Sequence, residues 1–304
     1  MSLKLRLRRW QQRLNLALLF IDSNTGGWLG TLSLALRSFA AARGGQAAAS
    51  LAYYGLFSLF PLVVLLITLA NFFIDPAQTE ASLAVALHEI LPDAQGLEEF
   101  VLEGARVVYA ARGQATALSL LALLWSASGM FTNLAYNIDL AWSSRRAPNA
   151  LKARLSGLVI VMLVSLGLIV LLLTSATLGV VLMLPQTFLQ WVGLDHSWAQ
   201  AGLVRLLTLL VGVMMFYALY RWAPRSTVPR AIALVSALFT ALAVQVIGFG
   251  LTWYLNSGLA QYATIYGPLT TIVVLMLWFY LTVAAILFGA HLGAALLARV
   301  RSPR

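Results

Sequence analysis

Apolar runs of about 20 residues or more recur along this chain, and most of its charged side chains fall between them. No other feature narrows the fold as far. A hydrocarbon layer about 30 Å thick takes about 20 apolar residues of helix to cross. Inside it every backbone N–H and C=O must find a partner within the protein, which favours helices. The runs place six spanning helices at Ala48–Ile74, Ala115–Trp142, Ser156–Leu184, Ala201–Tyr220, Pro229–Asn256 and Tyr266–Leu297. Charged residues make up 10% of the chain. A soluble domain carries about 25%, so this chain has too little polar surface to face water on all sides.

Basic residues set the orientation. With the N-terminus inside, the cytoplasmic segments hold every Lys and Arg except Arg106, Arg112 and Arg205. That excess is what the positive-inside rule requires. Asp75, Glu80, Glu89, Asp93, Glu98, Glu99, Glu103 and Asp195 fall on the opposite side. The expected location is a bacterial inner (plasma) membrane, multi-pass, with both termini cytoplasmic. The net charge of +10 then reads as a topology signal, and no nucleic-acid partner is expected. Met1–Phe20 is basic, but Arg6, Arg8, Arg9 and Arg13 interrupt its apolar residues, unlike a signal peptide.

The chain divides into 1–45, a pair of amphipathic helices; 46–298, the six-helix domain with an extracytoplasmic helical loop at 75–114; and 299–304, a cytoplasmic tail. Leu3, Leu7, Trp10, Leu14 and Leu18 recur at helical spacing in the first amphipathic stretch. In the second, Trp28, Leu32, Leu36 and Phe39 share one side, ending at Gly44-Gly45. Such helices either lie among the headgroups or pack under the bundle. The expected architecture is an all-α integral membrane protein: six transmembrane helices, cytoplasmic interfacial helices at the N-terminus, and a helical extracytoplasmic loop.

Several chemistries drop out. The chain has no cysteine, which excludes disulfides, thiolate catalysis and Cys-ligated metals. His88, His196 and His291 fall on separate segments, so they build no metal site within one protomer. There is no H-E-x-x-H, G-x-S-x-G or phosphate-loop signature. No catalytic residue, cofactor or metal is expected, and the chain is not read as an enzyme.

Polar residues within the spans are costly in lipid and carry the remaining information. Ser50, Tyr54, Ser58, Pro61 and Thr68 share one side of the first span, and Pro61 is expected to kink it. Ser126, Asn133 and Asn137 form a stripe on the second, beside Gly129. Ala241, Gln245, Gly248 and Thr252 share a face of the fifth. Each stripe is either helix-packing glue or part of a ligand pathway. Tyr54, Ser58, Pro61, Asn133, Asn137, Gln245, Tyr266 and His291 are the expected polar interior. Arg37, Arg43, Arg145, Arg146, Arg221 and Arg225 form the expected cytoplasmic rim for anionic headgroups. Asp139 either orients Arg145 or Arg146 or closes a salt bridge at its helix end. Gly289 and Gly293 make a G-x-x-x-G that packs helices closely, within the bundle or between protomers of a homo-oligomer.

Four stretches resemble the YihY/BrkB family of bacterial inner-membrane proteins. They are Ala49-Ser50-Leu51-Ala52-Tyr53-Tyr54 with Ser58-Leu59-Phe60-Pro61; Leu124-Trp125-Ser126-Ala127-Ser128-Gly129; Tyr220-Arg221-Trp222-Ala223-Pro224; and Tyr262 through Tyr266-Gly267-Pro268-Leu269 to Trp278-Phe279-Tyr280-Leu281 and Gly289-Ala290. The resemblance covers roughly residues 35 to 298. It implies a six-helix envelope protein, with links to virulence and a proposed role in lipid transport. A former ribonuclease label for the family agrees poorly with this chain, which has no His/Asp metal cluster. Where the family has Gly-Ala-Glu near the end of the last span, this chain has Gly289-Ala290-His291. The expected function is a transporter or flippase-like protein for a lipid or anionic amphiphile. A non-transporting scaffold or regulator of envelope integrity, binding an envelope protein, is the alternative.

Overall fold

The computed structural model describes residues 28–70, 117–142, 157–170, 197–257 and 269–301, together with Glu103 and Leu155. Within them the regular secondary structure is helical. In chain order the helices are α1 (Trp28–Ala41), α2 (Gly44–Ala70), α3 (Ala117–Ala141), α4 (Gly157–Val170), α5 (Ser197–Trp222), α6 (Arg230–Asn256) and α7 (Thr270–Arg301). Three are long and apolar enough to cross a membrane: α5 from Gly202 onward, α6 and α7. Helices α2 and α3, 27 and 25 residues long, coincide with the first two expected spans, and α2 stays helical through Pro61. Helix α4 opens the third, whose remainder lies outside the described residues. So do the first amphipathic stretch, Arg145 and Arg146, Tyr266, and the loop at 75–114 apart from Glu103.

Helix α7 is the hub, packing against α6, α2, α1 and α3. What lets α6 approach is a row of small side chains: Ala233, Ser236, Ala237, Thr240 and Ala241, all buried. They recur three and four residues apart and so share a face. Gly289 and Gly293 of α7 sit against this row. A side chain at Gly289 would collide with Thr240 Oγ1, and one at Gly293 with Ser236 Oγ. Helix–helix contact in lipid rests on such close approach, since lipid tails are as apolar as leucine. The opposite side of α6 carries Leu234, Leu238, Leu242, Val246 and Phe249, all exposed. Exposed apolar rows of this length mark a surface that faces lipid or another protein.

The α1–α2 junction departs from the sequence expectation. Helix α1 does not run to Gly44-Gly45. It stops at Ala41, Arg43 takes the left-handed conformation with φ 54°, and Gly44 opens α2. A side chain at Gly44 would run into the Phe39 ring, which is why glycine stands there. The face that α1 buries also differs from its large apolar row. Thr31 and Ala35 are buried, whereas Trp28, Leu32 and Leu36 are exposed.

Candidate functional site

The polar side chains concentrate at the end of the bundle where α7 finishes. Tyr220, from the last turn of α5, is fully buried. Its hydroxyl oxygen lies 2.7 Å from the Ile286 carbonyl and 2.7 Å from Thr240 Oγ1. A carbonyl can only accept, so the Tyr220 proton goes to Ile286 and Thr240 donates to the Tyr220 oxygen. One phenol thereby ties α5, α6 and α7 together over Gly289. The glycine pair thus serves contact within one chain.

His291, two residues beyond Gly289, is also buried. Its Nδ1 lies 2.8 Å from Ser38 Oγ of α1, and its ring packs edge-on against Phe39. Four contacts then run in opposite order along the two helices. Thr31 Oγ1 accepts from Arg299 at 3.3 Å, Ala35 clusters with Leu292 and Ala295, Ser38 meets His291, and Phe39 meets Phe288. Helix α1 therefore lies antiparallel along the last turns of α7. Ser38 carried no sequence signal; its partner stands 253 residues away.

Asp139 is buried near the end of α3. Its Oδ1 accepts from the Arg225 backbone N–H at 2.9 Å, and its Oδ2 lies 3.7 Å from Arg225 Nε. The partner is thus Arg225, from the α5–α6 connection, and the pair fastens that connection to α3. Of the expected rim, Arg37, Arg43 and Arg225 are exposed and Arg221 is half-buried; Arg145 and Arg146 lie outside the described residues.

The expected interior residues part company. Ser58 and His291 are buried, Asn137 is half-buried, and Tyr54, Asn133 and Gln245 are exposed. Pro61 and Tyr266 are not among the described side chains. Gln245 lies on α6 among exposed Leu242, Val246 and Phe249, five residues beyond Thr240 and outside the small row that packs on α7.

Four of the polar residues do share a border. Helices α2 and α3 touch at Met130, whose sulfur lies 3.5 Å from Ser58 Oγ and whose methyl abuts Gly55. Gly55 also abuts Phe279, which places α7 on the inner side of that contact. On α2, Tyr54 and Ser50 follow Ser58 in steps of four residues, turning away from α7, and both are exposed. On α3 the core-facing row is Phe131, Leu134, Ala135 and Ile138, with Asn133 and Asn137 on the other side of Met130. Ser50 and Tyr54 thus flank the α2–α3 seam from one helix and Asn137 and Asn133 from the other, all on its outer side. The Asn137 amide donates to the Asn133 carbonyl at 2.8 Å. Tyr53, Phe57 and Tyr136 widen the exposed strip with aromatic rings.

A family model described as Virulence factor BrkB matches residues 35–303. The chain belongs to the BrkB family. Among the relatives of this chain is the ribonuclease-like protein YfkH of Bacillus subtilis, 26% identical over 263 residues, covering 86% of this chain and 92% of YfkH. UPF0761 membrane proteins are similar as well. That of Stenotrophomonas maltophilia, Smlt0865, is 26% identical over 254 residues, and that of Laribacter hongkongensis 28% over 260. The alignments cover 83% of this chain but 57% of either relative, so this chain spans little more than half their length. No solved structure matches. The family and the apolar helices together make this a membrane protein, and two of the four stretches that carry the resemblance meet in space where Tyr220 lies over Gly289.

Proposed function

We propose that this protein is a transporter or flippase-like protein of the bacterial inner membrane, passing a lipid or anionic amphiphile along the α2–α3 seam. The observation that carries the reading is the polar strip of exposed Ser50, Tyr54 and Asn133 with half-buried Asn137, on two helices that read as membrane-spanning. Amides and hydroxyls facing bare hydrocarbon cost several kcal/mol each when unpaired, roughly. A strip that offers them together suits a headgroup moving along it while its tails stay in lipid. The reading takes six spans with both termini cytoplasmic, supported by the placement of the arginines. Arg37, Arg43 and Arg221 then gather anionic headgroups at the cytoplasmic end. With no nucleotide-binding motif in the chain, movement is passive, ion-coupled or driven by a partner. No catalytic step or cofactor enters, and the name of the YfkH relative stays with that protein.

A non-transporting scaffold is the second reading, favoured by the close packing of Tyr220, Thr240 and Gly289. Reconstitution in liposomes with a labelled anionic lipid separates the two. The native chain is expected to move the lipid, and Tyr54→Phe with Asn133→Leu and Asn137→Leu to slow it. Equal rates in both remove the seam from the pathway, and an inert native protein replaces transport with the scaffold.

A further inference from the structure

Helix α1 presents three different sides. One, with Thr31, Ala35 and Ser38, is committed to α7. The next carries Trp28, Leu32 and Leu36, one turn apart, at 56%, 40% and 52% exposure. The third carries Ser33 and Arg37, both exposed. Leu34 is exposed as well, apart from that apolar row. A helix held against a bundle by one side, with an apolar row on a second and a cation on a third, matches the boundary of a bilayer. There protein, hydrocarbon and water meet along one line.

The charge around α1 says which surface it meets. Arg37, Arg43, Arg230, Arg299 and Arg301 are all exposed at this end of the bundle. The carboxylate described there, Asp139, is buried and taken by Arg225. Trp222, at the end of α5, is exposed too, and tryptophan favours the level where headgroups meet acyl chains. We infer that the Trp28–Leu32–Leu36 side of α1 docks on the anionic surface of the bilayer, with Arg37 and Arg43 toward the headgroups. The seat is rigid on its protein side, because Ser38 and Thr31 fix α1 to His291 and Arg299. The Trp28–Leu32–Leu36 row stands apart from the α2–α3 seam, and although Arg37 and Arg43 also belong to the rim proposed above, docking needs no transport.

The test uses the full chain, which has no native cysteine. An environment-sensitive fluorophore is attached in turn to Leu32→Cys and Ser33→Cys, both surface positions at which the fold should survive. Each variant is reconstituted in vesicles of phosphatidylglycerol and phosphatidylcholine. Docking predicts that a quencher on the upper acyl chain darkens the Leu32 probe while aqueous iodide does not, with the reverse at Ser33. Arg37→Gln with Arg43→Gln, or vesicles of phosphatidylcholine alone, should restore iodide access at Leu32. Equal iodide quenching at the two positions in anionic vesicles overturns the inference. Protection of Leu32 that is unchanged in phosphatidylcholine alone overturns the anionic partner. Protection that grows with protein density, without lipid quenching, means that a second copy covers the face, and this also overturns it.

Discussion

Ser38 Oγ and His291 Nδ1 lie 2.8 Å apart, joining α1 to the last helix at a position where the histidine is buried and the serine half-buried. Losing the serine leaves the buried ring nitrogen without a partner, at about 1–3 kcal/mol, and losing the histidine costs the half-buried serine the lower part of that range. His291→Phe keeps the ring that packs on Phe39 and removes the nitrogen. It is expected to raise hydrogen exchange across residues 28–41 by about ten-fold, the equivalent of about 1.4 kcal/mol of local opening, while α6 is unchanged. Exchange mass spectrometry on the protein in nanodiscs reads this directly. Unaltered protection of α1 would show that the Phe39 and Ala35 packing holds it alone.

Gly289 makes a sharper prediction. A methyl group placed there falls 2.6 Å from the Tyr220 hydroxyl and closer still to Thr240 Oγ1. Neither group can yield without giving up its hydrogen bond, so Gly289→Ala should cost about 3 kcal/mol, overpacking and the lost bond together. Thr240→Ala makes room on one side and should recover part of the loss. Thermal unfolding of the two single variants and the double variant measures that coupling, and strictly additive costs would disprove the contact.

Much of this arrangement could be read from the sequence, for a physical reason. Spanning segments announce themselves by length and hydropathy, so the described helices fall where the apolar runs lie. Which side of a spanning helix meets protein is harder to read. In lipid the packing side and the lipid side are both apolar and differ in size, so hydropathy is silent where Ala233, Ser236, Ala237, Thr240 and Ala241 speak. The stripe Ala241, Gln245, Gly248 and Thr252 stands out for polarity, yet of these only Ala241 is buried, as the last member of the small row that does the packing. Pairings distant in sequence were not legible either. Asp139 stands near Arg145 and Arg146 in the chain, yet its partner Arg225 arrives from 86 residues away because the α5–α6 connection folds back over α3.

That pairing is asymmetric, and its two halves should mutate differently. Asp139 is buried and accepts from a backbone N–H as well as facing a guanidinium, whereas the Arg225 side chain is 41% exposed. Arg225→Ala removes a partly solvated ion pair and keeps the backbone bond, a loss of about 0–1 kcal/mol. Asp139→Ala strands the N–H of the connection and should cost about 1–3 kcal/mol. Chemical or thermal unfolding in detergent decides. Equal losses would mean that the guanidinium, not the backbone bond, fastens the connection.

The last prediction concerns the turn between α1 and α2. Arg43 holds φ at 54°, a region where a side chain crowds the following carbonyl and where glycine sits without cost. Two glycines stand immediately after it, but Gly44 is needed where it is, because any side chain there meets the Phe39 ring. The left-handed residue is thus the one position of the turn that lacks the residue best suited to it. Arg43→Gly relieves about 1 kcal/mol of backbone strain and loosens the unfolded chain by a smaller amount. The net expectation is a folded state as stable as the native one or more so, despite the loss of an exposed cation. In anionic vesicles the same change should weaken docking of α1, since the charge that faces the headgroups is gone. Measuring stability in neutral detergent and fluorescence protection at Leu32 in phosphatidylglycerol vesicles separates these effects. A clear loss of stability in detergent would show that the Arg43 side chain, not its backbone conformation, holds the turn.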